Sequence, residues 1–352
     1  MSGPQQNPAV WEVIDDKAIN STEPYDELAD FTLICQIIFN FAFVSGGVMS
    51  FTLLYLVLFH TTGSFKPYSR MLIMCCISDI MYWFLDHMLH QNSRQIDGVF
   101  LITLKGFGGY LSYENQMILT GFYIVTLVLT HTTLGAQGFY RYYALVHNKP
   151  MSILKTSALF LFTFLSAVPS GIIGYLSFKY STSVRPGFNY GTLWYKEYPL
   201  PVLLVVDVDH IYQKLYYVIS ASTVTLSYLV SILFAYKSMA HLHKYDHLYS
   251  RKTKFLHQKL SKCLLFQNVA PLFVSIIPIM VMVVPLFFRI TINQEITIFM
   301  IAISLIPAFN SLVTIAIISP YRQYILNLFR CPSRVLRKPM GTSVTLNESG
   351  KM

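Results

Sequence analysis

The chain has 352 residues, of which 54% are hydrophobic and only 12% charged, and its mean hydropathy is +0.48. One soluble domain carries about 25% charged residues, so this composition excludes a soluble globular fold and places the chain in a bilayer. The net charge of +9 does not call for nucleic acid, because the basic residues fill short gaps between apolar runs, as they do in loops that face the cytoplasm.

The opening stretch MSGPQQNPAVWEVIDD lacks the basic flank and apolar core of a cleavable signal peptide, so the first span is expected to direct insertion. Residues 1–30 read as an extracellular segment with seven acids against one Lys, and Asn20-Ser21-Thr22 is a glycosylation acceptor there. Backbone groups in hydrocarbon must be satisfied within their own segment, so each apolar run of roughly 20 residues reads as one helix across a core of about 30 Å. Seven such runs cover residues 33–59, 68–89, 113–139, 153–178, 211–236, 263–288 and 297–318. The expected fold is therefore all-α, a polytopic seven-transmembrane helix bundle spanning residues 31–330.

With the N-terminus outside, 18 of the 26 Lys and Arg residues fall in inner segments, seven fall in outer ones, and Lys214 sits in the fifth span. That asymmetry selects the orientation. Five cysteines, four in apolar runs and Cys331 in the tail, offer no extracellular disulfide framework.

Polar residues at membrane depth are costly and mark function. In the second span Asp79 lies near mid-membrane and reads as a polar node between helices, with a paired structural carboxylate as the plainer reading. Asp86 is seven residues on and shares its face. Asp86, His87, His90, Tyr113, Glu114, Asn115, Gln116 and, from the fifth span, Tyr217 are candidates for a ligand pocket at the outer end, although some could be wet loop-end residues. At the inner end of the third span stands Phe139-Tyr140-Arg141-Tyr142-Tyr143. Arg141, flanked by Tyr140 and Tyr142, reads as a latch on the cytoplasmic end, or more plainly as a snorkelling Arg at a helix C-terminus.

The loop between the fifth and sixth spans is the strongest charge run, and Arg251, Lys252, Lys254, Lys259 and Lys262 there suit either the anionic leaflet or a cytoplasmic protein. His241, His243, Asp246 and His247 resemble a metal-ligand cluster, yet the basic loop would repel a cation, so no metal or other cofactor is expected. Pro271, Pro278 and Pro285 recur at seven-residue spacing in the sixth span and weaken its backbone ladder along one face. After the seventh span, Tyr321, Ile325, Leu328 and Phe329 follow helical spacing, so residues 319–331 read as an amphipathic helix on the inner leaflet. Cys331 at its end is a palmitoylation candidate, and residues 331–352 read as a disordered cytoplasmic tail. No metalloprotease, hydrolase or nucleotide-binding motif occurs, and the seventh span has no Lys to carry retinal. Enzyme and light-driven-pump readings therefore lack their chemistry.

Three stretches resemble nematode serpentine chemoreceptors of the Str superfamily, a divergent group of G-protein-coupled receptors. They are FYRYYAL at 139–145, RKTKFLHQKLSKCLLFQNVAPLFVSIIPI at 251–279, and IPAFNSLVTIAIISPYRQYI at 306–325. Both Srd-like and Srh-like membership fit. The resemblance implies a receptor for an odorant or other small molecule in the plasma membrane of sensory cilia, signalling through a heterotrimeric G protein. It assigns coupling to Arg141 and the stretch from Arg251 to Lys262. No acid precedes Arg141, Asn310 follows Pro307 in a rearranged seventh-span motif, and no cysteine pair ties the third span to the second outer loop. Two rivals are a seven-helix ligand-gated cation channel, whose N-terminus would lie inside, and a transporter.

Overall fold

The structure is a computed structural model that describes residues 7–13, 24–61, 66, 68–147, 149–244, 266, 269 and 272–330. Asn20, Pro271, the basic run Arg251, Lys252, Lys254, Lys259 and Lys262, and the tail from Cys331 onward lie outside the described residues. Five long helices come first: α1 (Ala29–Phe59), α2 (Ser69–Leu89), α3 (Tyr113–His147), α4 (Ile153–Tyr180) and α5 (Ile211–Lys244). A π-helical turn at Leu272–Ile276 then leads into α6 (Ile277–Phe287), followed by α7 (Glu295–Ser304), α8 (Ile306–Ile317) and α9 (Ser319–Arg330). Among the described residues six helical rods are long and apolar enough to cross a membrane, α7 and α8 counting together as Glu295–Ile317, and Phe273–Phe287 is a shorter apolar helix at the sixth position.

Hydropathy locates the spans but not where the helices stop. α3 and α5 run eight residues past the expected ends at 139 and 236, reaching His147 and Lys244. The continuations YRYYALVH and KSMAHLHK contain no Gly or Pro, so nothing in them breaks the helix. In the seventh span the reverse holds. Pro307 lacks the N–H that would bond to the carbonyl of Ile303, and the rod breaks at Leu305 into α7 and α8.

α3 forms the centre of the bundle, and from Gln116 to Leu145 nearly all of its side chains are buried. It tolerates a run of threonines because their hydroxyls turn back onto the helix: Thr120 donates to Gln116 O at 2.8 Å, Thr126 to Tyr123 O at 2.9 Å, and Thr130 to Leu127 O at 2.7 Å. Each buried hydroxyl is thus satisfied without a partner helix. Against this helix α4 closes at Gly121 and Gly171.

Strands at the end of the bundle that carries the N-terminal segment were not anticipated in the helical reading. β2 (Gln91–Ile96) and β3 (Val99–Leu104) form a hairpin between α2 and α3, and β5 (Leu204–Asp207) from the α4–α5 connection pairs with β3 in register, Val99 opposite Asp207 and Ile102 opposite Leu204. The hairpin turns on Asp97 (φ 48°) and Gly98 (φ 75°), the two left-handed residues of a type I′ turn. β1 (Tyr25–Asp26) pairs with β4 (Glu197–Tyr198) beside it. Val10 from the N-terminal segment joins Val99, Leu101, Tyr190, Trp194, Leu203 and Val205 in a separate small core above the bundle.

At the opposite face, α9 folds back against α1. Tyr321 is fully buried, and its hydroxyl lies 2.6 Å from Thr61 Oγ1.

A methyl group at Gly171 would lie 2.6 Å from the carbonyl oxygen of Gly121 and collide with Val125. Gly171→Ala is expected to push α3 and α4 apart and destabilise the chain by about 1–3 kcal/mol, read as a lower unfolding temperature of the purified protein in detergent; an unchanged temperature would show that the two helices are not held at this distance.

Candidate functional site

Beneath the sheet lies a cavity of about 130 Å³. Its walls come from α3 (Thr120, Tyr123, Ile124, Leu127), α4 (Gly174, Phe178), α5 (Gln213, Tyr216, Tyr217), α6 (Ile279, Met282, Leu286) and α7 (Met300, Ile303). Gln91 and Phe100 of the hairpin and Val206 of β5 roof it. Among the described residues that line it there is no acid, Lys, Arg or His, so the site presents aromatic and aliphatic surface with a few neutral polar groups. Most of those groups are already engaged. Gln213 Oε1 accepts from Ser177 Oγ at 2.5 Å, and the Thr120 hydroxyl is turned onto its own helix. Gln91 differs: its side chain is 92% shielded (8% exposed), and its Nε2 has no hydrogen-bond partner among the described residues.

The inward row of β2 ties this roof to the helices below. Ser93 N lies 3.4 Å from Thr297 Oγ1 on α7, and that hydroxyl lies 3.3 Å from Ser93 O. The backbone of Gln95 exchanges two hydrogen bonds with Ile292, at 3.2 and 3.1 Å. With its amide turned to satisfy both neighbours, Gln95 donates to Met282 O at 2.9 Å and accepts from Leu286 N at 2.6 Å, inserting into the last turn of α6. An ion-pair group lies outside the row. Arg185 reaches Asp97 at 3.0 Å and approaches Asp207 at 3.2 Å, while Arg289 after α6 pairs with Asp209 at 2.5 Å. Asp207 is fully buried and its Oδ2 receives no well-directed hydrogen bond, so burial raises its pKa although Arg185 opposes the shift.

Of the residues singled out for ligand binding, Tyr217 lines the cavity. Asp86 lies one layer behind it, facing the hydroxyls of Tyr82, Tyr123 and Ser304. His87 points instead at α1, its ring stacked on Phe43 at 3.6 Å. Tyr113 packs against the main core of the bundle, Glu114 is exposed, and Gln116 donates to Gly109 O and Leu111 O, holding the turn before α3. The roof residues Gln91, Phe100 and Val206 were missed. Their signal was present as Asp97-Gly98 flanked by β-branched and apolar residues, but the hydropathy profile absorbs Val99–Leu104 into an outer loop.

Below the cavity, His131 of α3 is 2% exposed, with Nε2 at 3.0 Å from Ser275 Oγ in the π-helical turn and Nδ1 at 3.4 Å from the Tyr228 hydroxyl of α5. Deeper still, Asn310 Nδ2 donates to Asp79 Oδ1 at 3.0 Å beside a void of about 20 Å³ that Thr130, Thr133 and Gln137 also line. A void of that size suits a single water.

The family model described as serpentine-type seven-transmembrane GPCR chemoreceptor Srd matches residues 35–327. The chain belongs to the Srd family of serpentine receptors. Two curated relatives from Caenorhabditis elegans agree. Serpentine receptor class delta-18 is 22% identical over 322 residues, covering 87% of this chain and 91% of that one. Serpentine receptor class delta-19 is 23% identical over 305 residues, covering 84% and 87%. Among solved structures, squid rhodopsin superposes with a TM-score of 0.56 at 10% identity, over 95% of this chain and 94% of that one, which shows the seven-helix fold; the family match makes the chain a multi-pass membrane protein.

At the far face of this Srd receptor, Arg141 is 6% exposed and lies six residues before the end of α3. It therefore stands inside the helix, not at its C-terminus. Its neighbour Tyr140 is fully buried near Arg70, Met151 and Thr156, and Arg70 Nη1 donates to Met151 O at 2.7 Å. Tyr142 packs on Phe234 of α5 at 5.5 Å between centroids. Pro278 is buried near the start of α6, directly after the π-helical turn. His241 and His243 lie in the last turns of α5, while Asp246 and His247 are outside the described residues.

His90 ends α2 in a left-handed conformation (φ 41°) with its ring 3.9 Å from that of Phe39. Burial, followed by the nearby His87 and Lys105, pushes its pKa down to about 4. The unfolded chain binds this proton near pH 6.5 and the folded chain does not. The contribution is complete above that pH and is lost as the pH falls toward about 4. Thermal unfolding followed over that range should show His90→Gln losing less stability than the native protein; parallel losses would assign the acid sensitivity elsewhere.

Proposed function

We propose that this receptor detects a small, neutral, largely apolar molecule in the cavity beneath the sheet and signals through a heterotrimeric G protein bound at the opposite face. The observation that carries the reading is the cavity itself: five helices, α6 among them, share one uncharged chamber whose roof grips α6 and α7. A guest that fits one spacing of those helices better than another shifts their populations, and only that difference in affinity does so. The distribution of Lys and Arg puts the sheet outside and the Arg141 end inside, in the plasma membrane and, by analogy with chemoreceptors, in sensory cilia.

Along the way, the His131 contacts and the Asp79–Asn310 pair are polar joints between helices. Pro278 and the π-helical turn give α6 a site at which to bend. Arg141 with Tyr140 and Tyr142 forms the coupling end. The basic stretch from Arg251 to Lys262 completes it by charge. Asp86 supports the cavity wall through Tyr123 more directly than it meets the guest.

The test is ligand-panel signalling in cells expressing the full chain with and without added Gα, recording second messenger and membrane current together, with antibody access to an N-terminal tag on intact cells. A Gα-dependent response with an accessible tag supports the receptor reading; a Gα-independent current or a hidden tag would favour the channel. In the same cells Arg141→Ala is expected to remove at least nine-tenths of the response, roughly the effect of losing one charge-assisted contact of about 1.5–3 kcal/mol, at unchanged surface expression. Undiminished signalling by that variant would dismiss Arg141 as the latch.

A further inference from the structure

We infer that Gln91 is the specificity-determining residue of the cavity, and that the guest carries an oxygen acceptor, as in a ketone, aldehyde or ester, on an otherwise apolar frame. The inference rests on the cavity reading above and adds the chemical class of the ligand. A buried amide N–H₂ without a partner costs about 1–3 kcal/mol; Gln91 lines the cavity, and its Nε2, shielded just behind the cavity surface, is such a group. No described side chain accepts from it: the oxygens of Gln213 and Thr120, which bond to Ser177 and Gln116, keep acceptor lone pairs but do not meet Nε2 in hydrogen-bond geometry.

The terminal torsion of a Gln is broad, so a small rotation of the amide aims a donor at a guest while the backbone of β2 stays paired with Leu104 of β3. A carbonyl oxygen supplies the missing acceptor and needs no donor in return. A protonated amine would meet another donor, and a carboxylate would enter a chamber with no cation among its lining residues. Position in the strand gives the contact a second role. Gln91, Ser93 and Gln95 alternate on the buried face of β2, so the residue that reads the oxygen shares a strand with the two that grip α7 and α6.

The experiment uses the full chain in lipid nanodiscs. Binding of a straight-chain methyl ketone, the alkane of equal length, and the corresponding primary amine and carboxylate is followed by thermal stabilisation at matched membrane concentration. The expected result is a ketone affinity about three- to tenfold above the alkane, with the two charged probes weakest. Gln91→Leu should bring the ketone to the level of the alkane while alkane binding persists, which also reports that the variant is folded. Equal affinities for ketone and alkane in the native chain, or a preference that survives Gln91→Leu, overturn the assignment to Gln91. Tightest binding of the amine or carboxylate overturns the neutral-acceptor class. If neither neutral probe binds at all, the cavity reading falls with it, whereas binding without a Gα-dependent response leaves Gln91 in place and removes only the signalling reading.

Discussion

Four cross-strand pairs between β3 and β5, running from Val99 with Asp207 to Ile102 with Leu204, join two connections that leave different helix pairs. The rest of the sheet-bearing end depends on them. A cysteine bridge from the third span to the same connection would fix it by one covalent link; here backbone hydrogen bonds and a small core of Val99, Leu101, Tyr190, Trp194, Leu203 and Val205 hold it in place. Apart from the buried Asp207, the surrounding ion pairs are partly exposed, and such pairs contribute little each. The apolar core and the ladder therefore set the height of the roof, and the roof sets the size of the cavity. Because β2 hangs from β3 over six paired positions, any displacement of β5 is felt at Gln91, Ser93 and Gln95.

From that roof to the far face, the bundle is built of stiff stretches separated by a few places where the backbone ladder is already incomplete. α3 is the central axis, buried along most of its length from Gln116 to Leu145. Among the described residues the incomplete places include Pro169 within α4, the π-helical turn before α6, the last turn of α6 where Gln95 inserts, and the break at Leu305 before Pro307. Bending at sites that already lack regular bonds requires fewer new ones to break. His131 contacts Ser275 within the π-helical turn, and Asp79 contacts Asn310 in the helix after the Leu305 break. Both polar joints thus touch the flexible helices from the rigid ones, which is the arrangement expected where a change at one end is to be transmitted to the other.

The helical part of this architecture was legible because hydrocarbon imposes a strong rule on composition and length. Span order, the amphipathic α9 and family membership followed from apolar runs and from stretches such as FYRYYAL. Helix ends were less legible, since α3 and α5 continue for eight residues on sequences that hydropathy scores as loop. The roof was not read at all, because its strands are six residues or fewer and β3 is as apolar as a helix end. Asp97-Gly98 was the available clue. Asp86 and His87 show a different limit. Both sit near the right depth, but one residue turns a helical side chain by about 100°, and His87 consequently faces Phe43 while Asp86 faces Tyr123. Sequence gives the depth of a membrane residue more readily than its azimuth, which depends on how the helices pack.

The size of the chamber constrains how such a receptor must be poised. Moving a two-state equilibrium from 1:99 to 99:1 requires about 5.5 kcal/mol of differential binding, and small ligands reach at most about 1.5 kcal/mol per heavy atom in total affinity. A guest that fits about 130 Å³ is small, and much of its affinity comes from burial that both states provide alike. The part that distinguishes the states must come from contacts that change when α6 and α7 move. Apolar contacts of the kind Val206 and Phe100 offer at the cavity surface vary weakly with position, whereas a hydrogen bond is steep in distance and angle. A single directional contact on the strand that grips both helices is therefore the economical source of the difference, and the resting state need be favoured by only a few kcal/mol for one such contact to alter its population measurably.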